Sequence, residues 1–583
     1  MVIIRIVIYS LLILISAGAG CRREQPEAPV FNPAGPEERE WVPEVVPYLD
    51  SIPSGIDGQG VAVCSPSGPF PASSRRDFDI AFTIGKDGVE AGGFILLQVS
   101  PWWGWSSPQN EYSGGAGYVR VEASFPGPPL EVRILPLNRI LVFSRNGALP
   151  SGGRINFYLN NYRVDRFSEE EELFQIFVDA DGDGHSAPVT SQPTVRIAAH
   201  RPVRLEVSSP SRIKPGDEIT IRAAALDALG NWSDLPGGEY LLKISRDSKT
   251  IKEKNLSIGE GEELLSFSFR PGEEGVFFFR IEGPGDIGGT SNVTLCRKGE
   301  PSLKLYFGDI HGHSRLSDGT GTPEDYYRYA RSVSGLQVAA LTDHADYGTI
   351  PIAGKVWERI KAAAEEANDP GSFITFLAFE WTNWQYGHRN VYYRDGNGPV
   401  FRSIDPISDT PEELWKLLEP YEAMTVAHHV GGGPIATDWS IAPDPRERLV
   451  EVASIHGSSE YYGCEKCIYR PVKGGFVRDA LARGYRLGMI GGGDTHDGHP
   501  GQQSAGAPIT GIMGIYATGL TRDEIWEAME ERRVYATTGP KIILNFRVAD
   551  SPMRSAVAWP ARRGPIPIAF RAVVCGEIER IEI

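Results

Sequence analysis

The sequence predicts a multidomain protein of α/β and all-β class, in which two β-sandwich domains precede an α/β domain with a mainly parallel sheet. Three observations support this fold class. The chain has 583 residues, which is too long for a single hydrophobic core and corresponds to roughly three or four domains. Short alternating runs separated by Gly, Pro, Asn and Ser occupy residues 58–300, as in stacked antiparallel sheets. From about Leu303 onward, strand-like runs alternate with helix-like segments.

The first 21 residues form a targeting segment. Arg5 precedes an apolar stretch over residues 6–15, and small residues lead to Cys21. This order resembles a bacterial lipoprotein signal, although Gly18 stands where such signals usually carry Leu. The resemblance implies an extracytoplasmic protein that is lipid-anchored to a bacterial membrane through Cys21. The alternative is an uncleaved anchor, although the apolar stretch is short for a membrane span.

A linker and three β-type regions follow from composition and alternation. Residues 22–57 are rich in Pro and Glu and predict a linker. Residues 58–200 predict a β-sandwich domain from runs such as "DIAFTIG" and "FILLQVS". Residues 201–300 resemble a bacterial immunoglobulin-like module, because runs such as "VRLEVSS" fit strands with one buried face. Residues 541–583 predict a short C-terminal β segment, and we expect its last run, "IERIEI", to be a strand truncated within a sheet.

The net charge limits the partners that the chain can have. With 58 basic and 75 acidic residues, the formal charge is −17 at pH 7. Binding to a long nucleic acid needs a basic surface that releases counterions, so a nucleic-acid polymer is not expected as a partner. A small phosphorylated substrate is compatible with this charge, because metal ions can supply positive charge locally. Contact with a membrane is expected only through the lipid anchor.

Residues 301–540 predict the α/β domain. Strand-like runs end at "LKLYFGD", "LQVAALTDH", "FITFLAFE", "AMTVAHH", "LVEVASIH", "YRLGMIGGGD" and "GIMGIYA". Three helices have clear start signals, in which Thr322, Thr410 and Thr521 are N-cap residues followed by acidic residues in the first turn. The alternation predicts a mainly parallel sheet, either open or closed.

Metal-ligating residue types are concentrated at the ends of these predicted strands. Nine of the 11 histidines lie between His311 and His499. In parallel α/β folds the loops at the carboxyl ends of the strands converge, so residues there can assemble a site. The candidates at or just past strand ends are His311, His313, His344, Glu380, His428, His429, His456, Asp494 and His496.

These residue types indicate a metal centre. Imidazole and carboxylate ligands suit Mn, Zn or Fe. The candidates exceed the needs of one ion, so two or three divalent metal ions that share a bridging carboxylate are expected. Such a centre lowers the pKa of bound water and neutralises charge on a phosphoryl oxygen.

Five motifs in order resemble those of a known family. "DIHGHSRLSDG", "LTDH", "GHRN", "AHH" and "GGGDTHDGH" resemble the motifs of the PHP (polymerase and histidinol phosphatase) family of metal-dependent phosphoesterases. "SIHGSSE" and "RRVYATTGP" resemble the secreted, uncharacterised branch that carries accessory β-domains. The resemblance implies a distorted (β/α)7 barrel and three metal positions.

The resemblance also implies which residues bind each ion. The first ion would be held by His311, His313, Glu380 and Asp494. The second would be held by Asp318, His344 and His496, and the third by Glu380 as a bridge together with His388 and His428. Asp318 stands where some relatives have His. Since side chains alternate on a strand, only one of His428 and His429 is expected to ligate, and the motif favours His428. Asp309 and Asp343 would orient imidazoles.

The function implied by the resemblance is that of a secreted phosphoesterase hydrolysing small phosphate esters with a metal-bridging hydroxide. His496 or another group at the rim would pass a proton to the leaving alkoxide, with Asp318 in the same catalytic set. Arg315 and Arg389 flank the ligands and could grip a phosphate bidentately. His456 is open between a site role and a structural role in its loop. The alternatives are a metal-dependent hydrolase of another ester or amide, and a non-catalytic cell-surface binding protein.

Two further features lie outside this region. "DADGDG" matches the first half of a calcium loop, so calcium could bind near Asp179, Asp181 and Asp183, the alternative being a tight acidic turn. "PWWGWSSPQ" holds three tryptophans, which could stack on sugars or form part of a core or an inter-domain contact.

Overall fold

The structure is a computed structural model that describes residues 2–5, 42–45, 53–299, 303–348, 352–549, 551–553 and 565–582. Strand β1 (Val2–Arg5) falls within the predicted targeting segment. The rest of that segment, with Cys21 and most of the predicted linker, lies outside the described residues. No helix within the described ranges is long and apolar enough to span a bilayer.

The first β region is built from two main sheets that share one core. Strands β4 and β5 contribute Phe78, Ile80 and Leu97 to this core from opposite sheets. The sheet orders are β2-β4-β9-β6 and β12-β11-β5-β8-β7, beside a small sheet β10-β13-β3. The strands are β2 (Gly60–Ser65), β3 (Phe70–Pro71), β4 (Arg75–Ile84), β5 (Phe94–Gln98), β6 (Tyr118–Ala123), β7 (Glu131–Leu135), β8 (Arg139–Phe143), β9 (Arg154–Arg163), β10 (Glu169–Leu173), β11 (Gln175–Asp179), β12 (Ala187–Pro188) and β13 (Thr194–Ala198).

The second β region repeats this arrangement with a separate core. Ile221 of one sheet and Leu242 and Phe279 of the other belong to this core. One sheet has the order β14-β16-β17 with β20 beside β16, and the other β15-β23-β21-β18-β19 with β22 beside β21. The strands are β14 (Arg204–Ser208), β15 (Arg212–Ile213), β16 (Ile219–Leu226), β17 (Trp232–Ser233), β18 (Gly238–Arg246), β19 (Lys249–Ile258), β20 (Leu264–Phe269), β21 (Gly275–Glu282), β22 (Gly288–Thr290) and β23 (Thr294–Cys296).

The third region is a curled sheet with few helices. The strand order is β30-β29-β28-β27-β26-β25-β24-β32-β33, and β31 also pairs with β29. Its strands are β24 (Lys304–Asp309), β25 (Val338–Ala340), β26 (Ile374–Trp381), β27 (Arg389–Tyr393), β28 (Ala423–Ala427), β29 (Glu447–Ser454), β30 (Gly457–Ser458), β31 (Gly488–Gly491), β32 (Ile512–Ala517) and β33 (Val534–Thr537). The helices are α1 (Pro323–Ser332), α2 (Gly354–Ala367), α3 (Pro411–Leu417), α4 (Val477–Ala482) and α5 (Arg522–Glu530).

The predicted (β/α)7 barrel is wrong. The structure is 39% strand and only 9% helix, and the described residues form a curled β half-barrel. The parallel neighbours joined by helices are β24, β25 and β26, through α1 and α2, and β29 and β31, through α4. Strand β26 turns back into the antiparallel strand β27, and residues 428–446, all of them described, join β28 to β29 without a helix. Regular crossover helices are what a β/α barrel requires, and this chain replaces several of them with loops.

The helix starts predicted from sequence are confirmed. The side chains of Thr322, Thr410 and Thr521 each accept a hydrogen bond from a backbone N–H in the first turn of α1, α3 and α5. Beyond the third region, β34 (Ile543–Val548), β35 (Ser551–Pro552) and β36 (Ile568–Val573) form a small sheet, and β37 (Ile578–Glu582) pairs with β1.

Candidate metal centre

Consecutive strands of the curled sheet end at one place and bring the predicted donors together there. His311 and His313 follow β24, and a bridge between Gly312 and Thr495 joins this segment to the loop after β31. A second bridge links His344, after β25, with Glu380 of β26. Backbone pairing thus brings together donors that are far apart in the sequence.

The first donor group contains the residues expected for the first ion. Oε2 of Glu380 lies 3.5 Å from Nε2 of His311 and 3.5 Å from Nε2 of His313. Oδ1 of Asp494 lies 3.4 Å and 3.2 Å from the same two nitrogens. Two donors of one tetrahedral ion are about 3.4 Å apart when the bonds are about 2.1 Å long. These four distances therefore match those between ligands of a shared ion.

The second donor group surrounds Asp318. Its Oδ1 lies 3.4 Å from Nε2 of His344 and 3.3 Å from Nε2 of His496, the residues expected to share an ion with it. His313 joins this group, with Nδ1 at 4.0 Å from the same oxygen.

The third donor group contains both members of the adjacent histidine pair. His388, His428 and His429 each offer a nitrogen within 4.8 Å of the others. Strand alternation predicted that only one of the pair would face the site, but β28 ends at Ala427. His429 has a φ of 37°, so the chain turns there and both rings can face the same point.

Nine atoms of these donor groups are buried and lack hydrogen-bond partners among the described residues. The side chains of His311, His313 and Glu380 are 0% or 1% exposed. The unpaired atoms are His311 Nε2, His313 Nδ1 and Nε2, Asp318 Oδ1, Glu380 Oε2, His388 Nε2, His428 Nδ1 and Nε2, and Asp494 Oδ2. Leaving a buried polar atom unpaired costs about 1–3 kcal/mol. Cations bound between these atoms would satisfy them, so the residues fit a metal centre.

The pKa values of the donors differ from one side chain to the next. Burial alone would raise the pKa of Glu380, but the imidazoles of His344, His428 and His388 outweigh it and hold that pKa well below its ordinary value. Burial lowers the pKa of His428 to about 4. Burial, together with His496 and His344, lowers the pKa of His313 to about 3. Burial alone would lower the pKa of His344 and of His496, but the neighbouring carboxylates outweigh it and raise both to about 9. A cation that binds these two imidazoles must therefore displace protons from them.

Glu451 belongs to the site although the sequence analysis did not identify it. Its Oε2 lies 2.8 Å from Nδ1 of His311, and a proton on that nitrogen leaves the Nε2 lone pair free for a cation. The available signal was a single carboxylate in the apolar run "LVEVA" of β29. His456 also lies in the site, with Nε2 at 3.0 Å from Oδ2 of Asp494.

Asp309 and Asp343 do not contact imidazoles as expected; they organise the backbone of the ligand-bearing loops. Asp309 accepts hydrogen bonds from the N–H groups of Gly493 and Gly501, both at 2.8 Å. Asp343 accepts from the N–H and Oγ of Ser314, both at 2.7 Å. Both carboxylates therefore hold the backbone of loops that carry ligands.

Two glycines allow carboxylates to approach the chain beside Asp494. A methyl group on Gly492 would lie 2.0 Å from Oε2 of Glu451, and one on Gly493 would lie 2.4 Å from Oδ2 of Asp309. Asp494 itself has a φ of 53°, a conformation that non-glycine residues rarely adopt and that recurs at functional sites.

The two predicted phosphate-binding arginines are paired with carboxylates. Nε of Arg389 lies 2.9 Å from Oε1 of Glu447, and both side chains are fully buried. Nη2 of Arg315 lies 2.7 Å from Oε2 of Glu171 in the first β region. Arg389 therefore belongs to a buried ion pair within the third region, and Arg315 links the third region to the first β region.

The first β region contacts the loop that carries Asp318. Trp103 donates a hydrogen bond from Nε1 to the backbone oxygen of Asp318 at 2.7 Å. Gly321 donates from its backbone N–H to Oε2 of Glu169 at 2.9 Å. Among the three tryptophans of this segment, Trp103 is thus an inter-domain contact, while Trp105 packs in the core of the first region.

The acidic loop of the first region differs from the predicted calcium site. Asp181 and Asp183 lie with Asp57, which sequence analysis missed, and each offers an oxygen within 4.8 Å of the others. The oxygens of Asp179 instead accept hydrogen bonds from the backbone N–H groups of Gly182 and Gly184. Asp179 therefore shapes the turn.

Comparisons with known proteins give similarity but no named activity. The profile of a family described as "Protein of unknown function (DUF3604)" matches residues 336–432 and 502–553, less than half of the chain. An uncharacterised protein of Chlamydia pneumoniae is 21% identical over 520 residues, 85% of this chain and 81% of that protein. An uncharacterised protein of Chlamydia trachomatis is 23% identical over 68% of this chain and 66% of its own length.

One solved structure is also similar. It is a two-domain protein from Bacteroides vulgatus described as containing a predicted PHP-like metal-dependent phosphoesterase. The identity is 19%, the match covers 42% of this chain and 69% of that chain, and the TM-score is 0.31. A TM-score of this size does not equate the two folds.

Proposed function

We propose that this protein is a metal-dependent hydrolase of small phosphate esters. One observation carries the proposal: the two oxygens of Glu380 face different imidazoles. Oε1 lies 2.8 Å from Nδ1 of His388 and 3.0 Å from Nδ1 of His344, while Oε2 faces His311, His313 and His428 at 3.4–3.5 Å. A single carboxylate placed in this way can be shared by neighbouring cations.

Bound divalent ions would neutralise a phosphoryl group and lower the pKa of a water molecule at the same place. The donor histidines and carboxylates of the chain would hold these ions in position. The motif resemblance to metal-dependent phosphoesterases supports a phosphate ester as the substrate, and the net charge of −17 favours a small one over a polymer. The resemblance of the first 21 residues to a lipoprotein signal supports an extracytoplasmic, lipid-anchored location.

His456 is the group best placed to protonate the leaving alcohol. His496 is unsuitable, because Nδ1 lies 2.9 Å from the backbone oxygen of Asp494 and Nε2 faces Asp318. The side chain of His456 is 18% exposed, whereas that of Asp494 beside it is 3% exposed. The change His456→Gln should lower kcat for alkyl phosphates by about 10²- to 10⁴-fold, with a smaller loss for aryl phosphates, which need little protonation. A loss of bound metal in this variant would instead make His456 a ligand.

The proposed function is tested by measuring phosphate release from a panel of phosphate esters, with the protein loaded in turn with Mn, Zn or Fe. Turnover should require metal and should be abolished by Asp494→Asn with the fold retained. Asp523→Asn is the matched control, since that side chain is 75% exposed and pairs with Arg394.

Absence of phosphate release with every metal would contradict the proposal. Release of acid from carboxylic esters or amides would indicate the other hydrolase class. Ligand binding that survives Asp494→Asn without any turnover would indicate a binding protein.

A further inference from the structure

Two exposed aromatic side chains stand beside the donor imidazoles that face Oε1 of Glu380, and neither offers a metal ligand. Trp384 is 53% exposed and Tyr347 is 39% exposed. Large aromatic side chains are usually buried for most of their area, and exposed ones beside a site commonly contact a ligand. Both belong to loops that follow donor-bearing strands, Tyr347 after β25 and Trp384 after β26.

Each of these rings contacts a donor imidazole. The ring of Trp384 is 5.0 Å from that of His388, and the ring of Tyr347 is 5.1 Å from that of His344. Both imidazoles face Oε1 of Glu380. A phosphate ester bound at this centre would therefore have its alcohol part close to the two aromatic rings.

The two rings form a corner. Their centroids are 5.9 Å apart and their planes meet at 66°. One ring can therefore stack on the face of a flat group while the other contacts its edge. A linear alcohol would cover little of this surface, whereas a ring would cover much of it.

The two arginines next to donors in the sequence are paired with carboxylates, so they give no reason to expect a second anionic group on the substrate. Arg315 is paired with Glu171, and Arg389 is paired with Glu447. The contact offered on this side of the centre is therefore aromatic.

We propose that the corner formed by Tyr347 and Trp384 binds a ring on the alcohol part of the substrate. This inference rests on the proposed phosphate ester function and names its substrate class: a phosphate ester whose alcohol carries a ring with a flat apolar face. Such a face is presented by a pyranose sugar or by a nucleobase. Stacking on a protein aromatic side chain is sequence-tolerant for bases and is strong enough to change affinity about ten- to hundredfold.

The test compares three esters of primary alcohols, which have the same reacting group. Glycerol 3-phosphate has no ring, glucose 6-phosphate carries a pyranose, and adenosine 5′-monophosphate carries a base. In the metal-loaded protein, Trp384→Ala and Tyr347→Ala should lower kcat/KM by about ten- to hundredfold for at least one ring-bearing ester. The values for glycerol 3-phosphate should change less than about threefold, and Trp384→Phe should retain most of the wild-type preference.

Tyr462→Ala is the matched control. That side chain is 45% exposed and contacts Phe476 and Lys473, not a donor imidazole. An equal loss for all three esters in Trp384→Ala, or no loss for any of them, would overturn the proposal. Comparing the pyranose with the base identifies which ring the corner prefers.

If none of the three esters is hydrolysed, the proposed function is decided by the wider panel of phosphate esters, and the corner is tested separately by titration calorimetry. Adenosine 5′-monophosphate or glucose 6-phosphate should then bind the metal-loaded protein at least tenfold more tightly than glycerol 3-phosphate. The difference should disappear in Trp384→Ala. Equal dissociation constants for the three compounds in the wild-type protein would refute ring recognition independently of catalysis.

Discussion

The hydrogen bond from Trp103 to the backbone of Asp318 allows the role of the first β region to be tested. The change Trp103→Phe removes the Nε1 donor, which lies 2.7 Å from the carbonyl oxygen, and keeps an aromatic ring at a position that contacts Phe167 and His496. We expect weaker metal binding by the group that contains Asp318, because the loop is no longer held in its ligand-binding position from that side.

The size of the effect follows from the bond that is lost. A hydrogen bond contributes about 0.5–1.5 kcal/mol net. The apparent affinity for the ion is proportional to the fraction of molecules whose loop stays in the binding position. Because the lost bond can shift that equilibrium by no more than about tenfold, the affinity falls by at most about tenfold. The bonds from Arg315 and Gly321 to the first region remain, and they keep the loop from being released completely.

The assay is a titration with chelator-buffered metal, with the number of bound ions measured by elemental analysis. One ion should bind up to about tenfold more weakly and the others as in the wild-type protein. Trp105→Phe is the control, because Nε1 of Trp105 is buried without a hydrogen-bond partner in the described part of the chain, and its ring packs against Phe78 and Phe174. Unchanged affinity in Trp103→Phe, or an equal fall in Trp105→Phe, would refute the reasoning.

Three further predictions concern other parts of the structure. Glu451→Gln should weaken metal binding about 10–100-fold by removing the charge that orients His311, as measured in the same titration. Arg389→Met should destabilise folding by about 3–5 kcal/mol in urea unfolding, because it leaves Glu447 buried and unpaired. Burial raises the pKa of Asp179 to about 6, so the stability that this group contributes is present below about pH 4 and is lost as the pH rises through about 6. Unfolding curves of Asp179→Asn should lack that pH dependence.

Local features of the third region were predictable from the sequence, and the arrangement of the sheet was not. The run "FITFLAFE" corresponds to β26 and "AMTVAHH" to β28 with the histidines that follow it. The strand between them, β27, was missed because "RNVYY" is short and follows a polar loop. Its antiparallel insertion is what breaks the β/α repeat. Alternation of strands and helices along the chain does not reveal the direction in which each strand pairs.

For the candidate site, residue types in ordered motifs were sufficient to predict most of the side chains that the structure brings together. Glu451, Asp57 and Trp103 were missed because their roles depend on contacts across long chain separations. His429 was excluded by strand alternation, a rule that does not apply beyond the end of the strand at Ala427. A single sequence shows the chemical type of each side chain, but it does not show which distant residue that side chain contacts.

The absence of side chains at Gly492 and Gly493 matters when related chains are compared for the donor arrangement described above. Glu451 and Asp309 occupy the volume that a methyl group would need at these two positions. A glycine-to-alanine change here would displace these carboxylates without altering any histidine. A related chain with alanine at either position is therefore expected to lack this arrangement of donors, even where it keeps every histidine.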